Sequence, residues 1–163
     1  MRTIYLDYNA TTPLDARVRE AMQPAFEEAW GNPSSVHHVG QSARALLDEA
    51  RERVAATLKC KPSELIFTSG GSESTNLALL GMARQLRSQG RHIITSAVEH
   101  DAVLHPCEYL ANYDGFELTF LPVDGVGRVS PDAVREAIRP DTVLVSIMAA
   151  NNELGTIQPV AEI

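Results

Sequence analysis

The sequence predicts an α/β fold, a mostly parallel sheet with helices on both faces. Three observations support it. Short apolar runs alternate with longer stretches whose apolar residues recur at helical spacing. Several of those runs, above all residues 142–148, are continuously apolar instead of alternating, as strands buried on both faces are. Turn-forming polar segments rich in Gly, Pro, Asn and Ser separate the elements. No internal repeat and no linker interrupts the pattern.

Taken in order, residues 3–6 read as a short strand, and the polar loop after them is stopped by Pro13. Asp15 is placed to cap a helix along which Val18, Ala21, Met22, Ala25, Phe26 and Ala29 follow at helical spacing, with Pro24 as a kink. Residues 31–40 are too rich in turn formers for an element. From residue 42 to 58, Ala43, Leu46, Leu47, Ala50, Val54 and Leu58 line one helical face. Residues 64–67, beyond the helix-stopping Pro62, read as the first buried strand. A glycine turn then opens a helix carrying Leu77, Leu80, Ala83 and Leu86, with Ser72 placed as its cap. Residues 92–95 are the next strand, 96–100 a loop, and 101–112 a helix. Residues 116–121 form a strand. Gly125 and Gly127 are read as turn glycines because no helix opens on them. A short helix at 131–138 has proline in its first turn, and the strand at 142–148 runs into a loop at 151–155.

At 163 residues, 44% hydrophobic and 21% charged, the chain has single-domain length and enough apolar material for a core. A net charge of −7 with scattered arginines argues against a nucleic-acid surface. No apolar run approaches the ~18 residues of a membrane helix, and the first residues lack a charged-then-apolar leader, so a cytoplasmic location is expected. Cys60 and Cys107 lack metal-ligand spacing and suit a reducing compartment. Cys107 is expected in the core as a small apolar residue. His100 with His105, and His37 with His38, make no metal pair, and no metal is assigned. Lys59 and Lys61 precede the strand expected at 64–67. Four strand residues span roughly 13 Å, which places both lysines at the opposite sheet edge from any ligand.

The direction of the sheet points to a site, because ligands of parallel sheets collect outside the carboxyl ends of the strands. Three polar loops are expected there: 68–72, 96–100 and 149–155. The first joins a strand to a helix through Gly70 and Gly71, bringing bare backbone amides to a helix start that favours an anion. It lacks the lysine of a P-loop and the glycine spacing of a dinucleotide fingerprint. The other two loops offer an imidazole and amides.

Five blocks then carry a resemblance. They are residues 5–13 with Asp7, Asn9, Thr11 and Thr12; Gly31, Asn32, Pro33, Ser34 and Ser35 with His37 and Gly40; Thr68, Ser69, Gly70, Gly71, Ser72, Glu73 and Ser74 with Asn76; Glu99 and His100; and Asn151, Asn152, Glu153, Leu154 and Gly155. In order across the whole chain, they resemble the cysteine desulfurases of the NifS and IscS type, within the class V aminotransferases, and residues 31–40 resemble the NifS branch more closely. The resemblance implies the N-terminal part of a fold-type I pyridoxal 5′-phosphate enzyme: residues 1–14 an N-terminal segment and residues 15–163 part of a cofactor-binding large domain. It also implies a homodimer. By matched position, backbone at Gly71 and backbone and hydroxyl of Ser72 would hold the phosphate, His100 would stack on the pyridine ring, and Asn152 would hydrogen-bond its phenolic oxygen. The family usually has threonine at Ser72, so the hydroxyl survives without the stiffening methyl.

The activity implied is conversion of L-cysteine to L-alanine. Sulfur passes to an enzyme cysteine as a persulfide, and from there to an acceptor protein such as an iron-sulfur scaffold, or into a thiolation pathway. No catalytic residue is assigned within the chain: the Schiff-base lysine and nucleophilic cysteine of the resemblance are expected beyond Ile163, and the isolated fragment is expected to be inactive. Another lyase or transaminase of the same family, and a non-catalytic remnant that binds phosphate or a partner chain, stay open as alternatives.

Overall fold

The structure, a computed structural model, describes residues 3–163. They form two compact units, one ending at Phe67 and one beginning at Thr68. The sequence boundary after residue 14 falls inside the first unit.

The first unit is helical. Helix α1, Ala16–Glu27, starts where Asp15 accepts a hydrogen bond from the Arg17 amide at 2.8 Å, and it carries Pro24 within its length. Helix α2, His38–Leu58, begins four residues earlier than its apolar spacing indicates, because the Nδ1 atom of His37 accepts from the Gly40 amide at 3.3 Å and caps it. Gly40 allows the preceding loop to approach closely: a Cβ there would lie 2.5 Å from the Ser35 carbonyl oxygen. Lys59 ends α2 in the left-handed conformation, with φ of 55°.

Two strands read from the sequence are absent from this unit. Residues 3–6 adopt no regular structure. Residues 64–67 are replaced by a 3-10 turn, Pro62–Glu64, and an extended segment with no ladder partner among the described residues. The turn wins locally because the carboxylate of Glu64 reaches back to the Lys61 amide at 2.7 Å and proline opens it. Arg51 on α2 then holds the extended segment, donating to the Leu65 carbonyl at 2.6 Å and stacking over Phe67. The strand on which the placement of Lys59 and Lys61 relied is therefore not formed.

The second unit carries the parallel sheet. Helix α3, Gly71–Gln85, precedes strand β1, His92–Ser96; helix α4, Asp101–Tyr113, leads to β2, Glu117–Leu121; and helix α5, Pro131–Ala137, leads to β3, Thr142–Ser146. The sheet order is β2-β1-β3, both pairings parallel. The central strand is the one whose five residues are all buried. Its alternation divides the core: Ile93 faces Leu79 and Ala83 of α3 and Cys107 and Leu110 of α4, whereas Ile94 faces Leu121, Val129 and Val134 on the α5 side. Helices thus cover both faces, as expected from the continuous apolar runs.

Candidate active site

Because β1 and β3 are parallel neighbours, the loops that leave their carboxyl ends, 97–100 and 147–157, emerge at one edge of the sheet. The start of α3 lies beside them. Ser72 on α3 and His100 at the start of α4 line the same cavity, of about 660 Å³, together with Asn76 and Asp101. A smaller hollow of about 390 Å³ joins Ser74 and Thr75 of α3 to Glu99, His100 and the Ser146, Ile147 and Met148 stretch that follows β3. Ser72 and His100 thus share one cavity, which continues along the groove between α3 and α4 past Leu80, Arg84, His105 and Tyr109. Asn152 lines neither hollow; it is exposed on the loop after β3.

Ser72 is not the cap of α3. Gly70 occupies that position with extended backbone and no side-chain cap, which leaves Ser72 inside the first turn. The amides of the first helical residues, Gly71 and Ser72 among them, have no acceptor within the helix, since intrahelical bonding starts four residues in with Ser74 to the Gly70 carbonyl at 3.1 Å. A Cβ added at Gly70 or Gly71 would meet nothing within 4 Å, so the turn is bare and open. Free amides, an adjacent hydroxyl and open space fit a phosphate. Glu73 is held on the same turn: one carboxylate oxygen accepts from both the amide and the hydroxyl of Ser69 at 2.6 Å, and the hydroxyl in particular holds its pKa below the usual range.

His100 caps α4. Its Nδ1 accepts from the Ala102 amide at 3.0 Å, which leaves Nε2 to carry the ring hydrogen. The residue is exposed, with its ring at the wall of both hollows. A flat aromatic ring fixed by its own helix is suited to stack on a planar heterocycle.

The loops are tied by two residues to which sequence reasoning gave no role. Glu99, 7% exposed, accepts at one oxygen from the Ser96 hydroxyl at 2.9 Å and the Met148 amide at 2.7 Å. Burial raises its pKa, against the opposing pull of those two bonds. Asn151 donates from Nδ2 to the Val98 carbonyl at 3.0 Å, while its Oδ1 accepts from the amides of Glu153 and Leu154. Asn151 had a signal, since an Asn four residues before Gly155 suits an Asx turn. Glu99 had none.

Cys107 is fully buried in the core, as expected, and burial pushes its thiol up to about 11. Among the described residues no group of three or more His, Cys, Asp or Glu side chains converges as a metal site, and no helix is long and apolar enough to cross a membrane.

Parallel strands with helices on both faces define an α/β protein, and the polar loops at the carboxyl edge are its candidate ligand site. A family model described as aminotransferase class-V matches residues 4–163, and the chain belongs to that family. It is 55% identical over 162 residues to the cysteine desulfurase IscS of Dictyoglomus turgidum, an alignment covering 99% of this chain and 41% of that protein. It is 51% identical over 162 residues to the cysteine desulfurase IscS of Methanosarcina thermophila, covering 99% and 40%. Among solved structures, a NifS-like protein superposes with a TM-score of 0.92 at 46% identity, covering 96% of this chain and 43% of that one. SspA in complex with cysteine superposes with a TM-score of 0.91 at 43% identity, covering 98% and 46%. The chain thus spans about two-fifths of the length of the relatives it matches.

Proposed function

We propose that this chain forms part of a pyridoxal-phosphate-dependent cysteine desulfurase, acting on L-cysteine to give L-alanine and enzyme-bound persulfide sulfur. The observation that carries the reading is the meeting of Ser72 and His100 on one cavity, beside the unfilled amides of α3. Identity to cysteine desulfurases at half of all positions supports it, as does the likeness to a structure solved with cysteine. Residues 15–163 would then belong to the cofactor-binding large domain.

In this reading the amides of Gly71 and Ser72 and the Ser72 hydroxyl hold the phosphate, where the helix dipole contributes about 0.3 to 1 kcal/mol per charge. His100 would pack its ring against the heterocycle, and Asn152, which lines neither hollow, would donate to the phenolic oxygen. When bound, pyridoxal phosphate supplies an electron sink for a carbanion at the substrate Cα. The lysine that moves the proton and the cysteine that takes the sulfur are not assigned to residues of this chain. Delivery of sulfur to an iron-sulfur scaffold or a thiolation pathway, a homodimeric assembly and a cytoplasmic location belong to the same proposal.

The test is to express the complete reading frame that carries this chain, supply pyridoxal phosphate, L-cysteine and dithiothreitol, and measure sulfide and alanine together. Equimolar sulfide and alanine are expected. Pyruvate with ammonia in place of alanine would identify a lyase of the same family, and no turnover of cysteine would end the desulfurase reading.

A further inference from the structure

The titratable group buried deepest beside the candidate site has no part in the chemistry proposed above. Glu99 follows the Ser96, Ala97 and Val98 segment at the end of β1 and immediately precedes His100. Its Oε1 accepts from Ser96 on its own strand end and from the Met148 amide two residues past the end of β3. The second bond crosses between the two loops that leave the carboxyl edge of the sheet. A parallel cross-tie runs the other way, from Asn151 Nδ2 to the Val98 carbonyl.

We propose that Glu99 is a positioning residue: its buried carboxyl joins the loop that carries His100 to the loop that carries Asn152, and so sets the width of the gap into which a planar cofactor would enter. The inference rests on the pyridoxal phosphate reading for its ligand, but the tie itself is a property of the protein alone. The consequence for the fold is visible in β3, which stops at Ser146, so the amide of Met148 is given to a side chain and not to a ladder. Raising the Glu99 pKa by burial favours a carboxyl that can be neutral without losing its acceptor, because Oε1 accepts in either protonation state.

Glu99→Ala removes the acceptor, Glu99→Gln keeps it, and Ser96→Ala removes only one donor. Val134→Ala, in the core on the α5 side, is the control for general destabilisation. In the complete gene product, pyridoxal phosphate retention is measured by equilibrium dialysis, and exchange of the Met148 amide by NMR without cofactor. Losing one buried hydrogen bond corresponds to roughly tenfold in an equilibrium. Glu99→Ala is therefore expected to weaken retention about tenfold and to expose the Met148 amide, with Ser96→Ala intermediate and Glu99→Gln and Val134→Ala within about threefold of the parent. Equal weakening by Glu99→Ala and Val134→Ala, or unchanged exchange at Met148, would overturn the proposal. If the parent itself retained no pyridoxal phosphate, the cofactor reading would fall, and Met148 exchange would still decide for or against the tie.

Discussion

His92, at the amino end of β1, provides the most direct pH test of the sheet. It is 1% exposed, and its two ring nitrogens span the flanking strands: Nδ1 lies 2.7 Å from the Thr142 hydroxyl on β3 and Nε2 lies 2.8 Å from the Thr119 hydroxyl on β2. The Thr142 oxygen also accepts from the Arg139 amide at 2.8 Å. Burial lowers the imidazole pKa; Arg139 pushes the same way, and Asp141 and Glu117 oppose it. Below about pH 6.5 the unfolded chain therefore binds a proton that the folded one refuses. This contribution is fully present above that pH and declines as pH falls toward the depressed folded value. The slope cannot exceed about 1.4 kcal/mol per pH unit for one group. Urea unfolding of the parent and of His92→Gln, followed through the methyl resonances of Ile93 and Ile94, isolates the effect in the sheet. Between pH 6.5 and 5.5 the parent should lose up to about 1 kcal/mol more than the variant, a midpoint shift of about 0.3 to 1 M at usual urea slopes. Parallel pH profiles for the two proteins would show that the imidazole titrates alike in folded and unfolded chains, and the argument from its burial would fail.

Three further outcomes are expected. In native protein at pH 8, iodoacetamide should modify Cys60, which is partly exposed, well before Cys107, which is buried with its thiol raised to about 11; peptide mapping showing equal rates would contradict the core placement. Gly127 has φ of 79°, and a Cβ there would sit 2.6 Å from the Leu154 side chain, so Gly127→Ala should cost about 1 to 2 kcal/mol in thermal or urea unfolding, and a neutral result would refute the tight turn. His100→Ala should remove both the α4 cap, worth about 1 kcal/mol, and the ring, whereas His100→Asn restores the cap alone. Weakened pyridoxal phosphate retention in both variants, with stability recovered only in His100→Asn, is the expected pattern; full retention in either would remove the stacking role.

How much of this could be read beforehand depends on where the partners of each residue lie. β1 and β3 were legible from their near-continuous apolar runs, but only β1 is buried throughout: β3, at the sheet edge, is half-buried with Val145 exposed, and the helices expected on both sides pack against Ile93 and Ile94 of the central strand. The apolar stretch at 64–67 has the same local character, yet it stays unpaired among the described residues while a proline-led 3-10 turn takes its first residue. A strand is a relation between two distant segments, and a run of residues specifies only one half of it. The starts of α2 and α3 shifted by a turn or less for a related reason, with His37, outside the usual capping set, and Gly70 at the cap positions, whereas α4 begins at Asp101 as its sequence indicates.

The candidate site divides along the same line. The loops that carry Ser72 and His100 were picked out because the carboxyl-edge rule needs only the order of strands and loops, not their contacts, while the roles of the two residues came from the resemblance. Glu99 and Asn151 stood within the sequence blocks but received no role, because each bonds to main chain far away, Glu99 to the Met148 amide and Asn151 to the Val98 carbonyl. Such a bond leaves no trace in the identity of the partner residue, since any amino acid but proline offers the same amide. Side chains that would touch a ligand are thus visible from topology, whereas those that hold the loops at the right separation become visible only with coordinates. For this edge the second group carries the tighter geometry: two crossing bonds, at 2.7 and 3.0 Å, join loops whose other residues are largely exposed. The separation of the two loops is therefore set by bonds from Glu99 and Asn151, and a ligand at this edge would meet a gap that those two residues hold.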